Sequence, residues 1–104
     1  MTKSDSLIKS LVAKITDYKP EKVIVFGSLV KGTWSKDSDI DLAIIKKTNQ
    51  PFYRRAADVR KMLRSRIPLD VFVFTPKEYE EAEKTNELVA EIDRTGRIVY
   101  GSAS

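Results

Sequence analysis

Two short apolar runs, Val23-Ile24-Val25-Phe26 and Leu42-Ala43-Ile44-Ile45, enclose a polar stretch that opens on Gly27-Ser28 and closes on Asp39-Ile40-Asp41. Both runs read as strands. Side chains two apart on a strand point the same way, which places Asp39 and Asp41 on one face with Cα atoms about 6.5–7 Å apart. Like charges held that close repel, and one carboxyl tends to keep its proton unless a cation lies between the pair. Mg²⁺ takes oxygen ligands and also binds phosphate oxygens. The acidic pair therefore predicts a metal site.

The Gly-Ser pair supplies the other half. Gly27 ends a buried strand where a side chain would obstruct the approach of a phosphate to the backbone. Ser28 is expected to cap a short helix, Leu29 to Lys31, whose free N–H groups suit an anion, with Gly32 ending the turn. A third acid, Asp70, opens the next apolar run, Val71-Phe72-Val73-Phe74. If that strand lies beside the one carrying Asp39 and Asp41, Asp70 completes a three-carboxylate cluster facing the Gly-Ser turn.

Phe26-Gly27-Ser28, Gly32 and Ser38-Asp39-Ile40-Asp41-Leu42, with Asp70 downstream, resemble the signature of the nucleotidyltransferase superfamily with the DNA polymerase β-like fold. The short chain resembles its minimal nucleotidyltransferase branch, known mainly as antitoxins paired with HEPN-domain toxins. The likeness runs from the first helix to Tyr100. It departs from the family at Leu29, where a basic residue is common in Gly-Ser-Arg-x-Arg-Gly patterns, so that Lys31 alone remains of that pair.

The rest of the chain sets bounds. Its 104 residues, 41% hydrophobic and 33% charged, suit one globular domain over residues 1–104 with a single modest core. No apolar run is long enough to cross a bilayer and the polar start lacks a signal-peptide core, so a cytoplasmic location is expected. With no Cys and no His, thiol nucleophiles, Cys/His zinc sites and a His base are excluded. Base chemistry falls to Asp. A net charge of +4 decides little.

The first helix is expected after Ser4 or Ser6, with Leu7, Ile8, Leu11, Val12 and Ile15 on one face. Val30 to Ser38 reads as a loop. Asn49-Gln50-Pro51 starts a helix with Pro at or near its first position, its apolar stripe Phe52, Ala56, Val59 and Leu63, and a basic outer face of Arg54, Arg55, Arg60, Lys61 and Arg64. Thr75-Pro76-Lys77-Glu78 is a capping box. A break falls near Lys84-Thr85-Asn86, a second stripe carries Leu88, Val89 and Ile92, and Gly96 precedes a final strand, Arg97-Ile98-Val99-Tyr100. The fold class is α/β (α+β), a small mixed β-sheet with helices packed against it, which the resemblance also implies.

The resemblance implies an adenylyltransferase using ATP and Mg²⁺, with Mn²⁺ an alternative. Asp39 and Asp41 would hold metal, Asp70 would ligate it and accept a proton, and Gly27 and Ser28 would hold phosphate. Lys31 is either a further phosphate contact or a solvated lysine, and Trp34 either stacks on a base or packs its loop down. The implied partner is a cognate HEPN ribonuclease toxin in a hetero-oligomer, with a tyrosine hydroxyl as AMP acceptor. Two other functions stand beside this one: an antitoxin that acts by occlusion alone, and a nucleotidyltransferase acting on RNA ends. Direct nucleic-acid binding belongs only to the last.

Overall fold

The computed structural model describes residues 3–35 and 38–101. Its elements run α1 (Lys3–Ile15), β1 (Lys22–Phe26), α2 (Ser28–Lys31), β2 (Ile40–Ile45), α3 (Phe52–Leu63), β3 (Leu69–Phe74), α4 (Pro76–Thr85), α5 (Glu87–Thr95) and β4 (Arg97–Gly101), with a single 3₁₀ turn at Thr16–Tyr18 after α1. The four strands form one sheet in the order β3-β2-β1-β4. β1 pairs antiparallel with both β2 and β4, and β2 pairs parallel with β3. The expected mixed α/β sandwich is what the chain forms.

Strand alternation divides the apolar residues between two cores. Val23 and Val25, with Ile40, Leu42 and Ile44, face α1 and α3, where Ile8, Leu11, Ile15, Val59 and Leu63 close over them. Ile24, Phe26, Ala43, Ile45 and Phe74 face the other way, under Tyr79 of α4 and Val89 and Ile92 of α5. Ile40, Ala43, Ile44, Val59, Leu63 and Val89 are fully shielded from water. Removing a Val, Leu or Ile side chain from water in this way contributes roughly 1.5–3 kcal/mol. Two cores, one on each face, replace the single core expected.

Three local expectations are corrected. On α3 the buried line is Arg55, Val59 and Leu63, each four residues from the next, so Arg55 belongs to the inner face and not to the basic outer one. Its guanidinium is satisfied there, donating to the carbonyls of Gln50 (2.9 Å) and Val73 (3.1 Å) and to Glu78 (2.6 Å). Phe52, expected on the core stripe, is half-exposed and instead meets Phe74 at 5.8 Å between ring centroids. Because β3 is an edge strand, the first turn of α3 overhangs it and Phe52 reaches the other core.

The third correction concerns the start of α2, whose N-cap is Gly27 and not Ser28. Pro51 stands where expected, near the first position of α3, as its N-cap. The capping box of α4 forms with both of its bonds, Glu78 N–H to Thr75 Oγ1 (3.1 Å) and Thr75 N–H to Glu78 Oε1 (2.8 Å). Asn86 marks the break between α4 and α5, its side chain accepting from the N–H groups of Leu88 and Val89. Of the predicted loop, Lys36 and Asp37 lie outside the described residues, and Trp34 packs down against the first core.

Candidate functional site

The register of the sheet brings the acids together. Phe26 of β1 pairs with Asp41 of β2, and Asp41 pairs with Asp70 of β3, so the three stand in one row across the sheet. Alternation puts Asp41 on the side of Ala43 and Ile45, and Asp70 on the side of Phe72 and Phe74, which is the face covered by α4 and α5. The helices cover Phe26 but leave the acids open: Asp41 is half-buried, while Asp70, and Asp39 just before β2, are exposed. Pro68 secures the alignment by accepting from Ile40 N–H at 2.9 Å, which ties the first residue of β2 to the residue just before β3.

Asp41 is held at about 6, above an ordinary carboxyl value of 3.8. Burial is the leading cause, followed by the charge of Asp70 and a hydrogen bond between the two side chains, then the charges of Asp39 and Glu91. Asp41 thus keeps its proton over a pH range where a separate aspartate would be ionised. Asp39 acts on the pair through its charge. Among the described residues, no group of three or more acidic side chains stands arranged to hold a metal ion. Asp41 and Asp70, in hydrogen-bond contact, and Asp39, whose charge reaches Asp41, offer only oxygen donors, the ligand type that Mg²⁺ takes.

Gly27 borders the row directly. Its φ of 76° and ψ of −147° lie where side chains are strained, and a Cβ placed there would overlap Asp41 Oδ2. The residue is glycine because the turn passes against the carboxylate. α2 then makes one turn, with Lys31 N–H donating to Gly27 O at 3.1 Å, and Gly32 closes it in the left-handed conformation at φ 78°. Ser28 is the first residue of that turn and so does not occupy the cap position. Leu29, where the family often carries a basic residue, is buried in the first core. Lys31 points its ammonium to Glu91 Oε1 of α5, 3.3 Å away.

Glu91 is the residue that sequence reasoning missed. It lies 50 residues beyond Asp41 on a different helix, and within α5 it reads as one more charge on a solvated face. A capped helix returning over the strand that leads into Gly27 was the available signal, but its rotation about its own axis was not.

The polymerase β nucleotidyltransferase family model matches residues 8–103, a span that includes every strand and the whole acidic row. A search of curated proteins returns no significant match. Among solved structures, the chain is similar to a toxin–antitoxin crystallised with AMP-PNP (20% identity, TM-score 0.56, covering 98% of this chain and 76% of that one). It is similar to a mutant of the MntA-HpeT toxin–antitoxin as well (19% identity, TM-score 0.55, 98% and 76%). A further likeness is to a nucleotidyltransferase, described as putative, from Sulfolobus solfataricus (21% identity, TM-score 0.51, 97% and 90%). These likenesses establish the fold, and the family model, which spans nearly all of the sequence, establishes that the chain belongs to the polymerase β-type nucleotidyltransferases.

Proposed function

We propose that this chain transfers AMP from ATP to a hydroxyl of a partner protein, a cognate HEPN-domain toxin, and so acts as its antitoxin. The observation that carries the reading is the pair Asp41–Asp70 set against the Gly27 turn, where the backbone passes directly against the carboxylate. Nucleotidyltransferases of this family generally use Mg²⁺ and a nucleoside triphosphate. Asp39, Asp41 and Asp70 would hold the ion, with Mn²⁺ an alternative; when bound it neutralises charge on the triphosphate. The backbone at Gly27 and the hydroxyl of Ser28 hold phosphate oxygens, with Lys31 beside them.

The acceptor oxygen, which we assign to a tyrosine, bonds to the α-phosphorus. The bond from that phosphorus to the bridging oxygen breaks, pyrophosphate leaves, and Asp70 takes the hydroxyl proton. Asp41 keeps the geometry by facing Asp70 across the strand pair. The similarity to toxin–antitoxin structures, one of them with AMP-PNP, supports both the partner and the nucleotide.

Occlusion without chemistry is the second reading, and the burial of Leu29 favours it, since the turn lacks the family's usual first basic residue. Action on RNA ends is weakened because Arg55 is withdrawn into the fold and Arg60 donates to Leu69 O at 3.2 Å. Intact mass of the genomic-neighbour protein after incubation with this chain, ATP and Mg²⁺ tests the proposal. One or more AMP units gained, and none with Asp39→Asn/Asp41→Asn, is the expected result. An unchanged mass within a stable complex would replace transfer by occlusion.

A further inference from the structure

The turn beside the acidic row has little stiffness of its own. α2 is four residues long and is flanked by Gly27 and Gly32, both at positive φ, and a single helical turn is not self-supporting in water. Its core anchor is Leu29. The Lys31 ammonium, at its C-terminal end, meets Glu91 Oε1 at 3.3 Å across 60 residues of sequence. Glu91 stands on a well-fixed support, because its neighbours on α5, Val89 and Ile92, are almost fully buried. Thr95 Oγ1 also bonds the Glu91 carbonyl at 2.8 Å. The charge of Glu91 reaches Asp41 as well, so the carboxylate lies by the site and not at a remote edge of α5.

We infer that Glu91 is a positioning residue for the nucleotide's phosphates: through its ion pair it holds the Lys31 ammonium, and with it the Gly27–Lys31 turn, beside the acidic row. This rests on the nucleotide-binding reading given above. A lysine has three donors on its ammonium, so one bond to Glu91 leaves others for phosphate oxygen. The fixed carboxylate limits the rotamers that a free lysine would lose on binding. Glu91 also opposes the triphosphate through space, its charge having the same sign. The two effects predict opposite signs for Glu91→Gln, and only the first depends on Lys31.

ATP with Mg²⁺, titrated calorimetrically into the wild-type chain, Glu91→Gln, Lys31→Ala and the double variant, separates them. Adenosine serves as the phosphate-free control. Glu91→Gln is expected to weaken ATP by about two- to fivefold, the range of exposed ion pairs, and to leave adenosine unchanged. In the Lys31→Ala background the same change should have no further weakening effect, and Lys31→Arg should restore the dependence on Glu91. In turnover the loss should fall on KM and not on kcat. Equal weakening in both backgrounds, or tighter ATP binding on Glu91→Gln, would overturn the positioning role. A wild-type chain that binds no ATP would overturn the nucleotide reading and this inference with it.

Discussion

Replacing Asp70 by asparagine keeps the side chain's shape at the second position of β3 and removes one of two charges that face each other across β2 and β3. Between its ordinary 3.8 and about 6, Asp41 stays protonated in the folded chain while the unfolded chain has lost that proton. Stability therefore falls as pH rises through this window and stays lower above it. Taken whole, the move from 3.8 to about 6 corresponds to about 3 kcal/mol. Asp41 is partly open to water, and burial exceeds Asp70 as a cause, so screening leaves about 1 kcal/mol for the share owed to Asp70. For a domain of this length that is a Tm shift of about 4–8 °C.

Thermal melting followed by circular dichroism is the assay. Asp70→Asn should melt higher than wild type by that amount at about pH 8, with the two curves converging near pH 4, where Asp41 is protonated in wild type and variant alike. Mg²⁺ should raise the wild-type Tm more than that of the variant, since the ion relieves a repulsion the variant no longer has. Transferase activity should be lost, a gain in stability at the expense of function. A variant less stable than wild type at pH 8, or a gap of the same size at both pH values, would refute the reasoning.

Gly27→Ala combines a positive φ with a Cβ driven into Asp41 Oδ2; urea unfolding should show a loss of about 1–3 kcal/mol with unchanged slope, and the Mg²⁺-dependent rise in Tm should diminish. Arg55→Ala removes a buried guanidinium that joins α3 to β3 and to the capping box of α4, and because Glu78 is partly exposed the expected loss is about 2–3 kcal/mol, below that for a fully buried pair. The Arg55 guanidinium also holds the Glu78 carboxyl below its ordinary 4.5. That part of the stability is present above 4.5 and is lost as pH falls through the lowered value, so acid titration of Arg55→Ala should show a shallower decline. Arg55→Lys should not restore it, since one ammonium does not reproduce a fork that reaches Gln50, Val73 and Glu78 together.

The strands were legible in the sequence because each is a short apolar run bounded by Gly, Pro or Asp. The box at Thr75–Glu78 was legible because capping is decided by residues three apart in the chain. Arg55 was not. On a helix read alone an arginine belongs with the solvent face, and only the carbonyl of Val73 and the carboxylate of Glu78, supplied by later segments, let it turn inward. Ser28 as a cap failed for a related reason. The capping rule assumes an ordinary backbone before the helix, whereas Gly27 takes a conformation that lets the chain pass Asp41.

Asp39, Asp41, Gly27 and Gly32 were marked by local chemistry: two like charges at strand spacing, and glycines where the chain must turn. Local chemistry is written in neighbouring residues, so the sequence by itself determined them. That Asp70 faces Asp41, that Gly27 lies against its carboxylate, and that Glu91 meets Lys31 depend on the parallel register of β2 with β3 and on the rotation of α5 over the sheet. Those are set by packing two cores at once, one on each face. The tertiary structure alone decided which charges had to share one place.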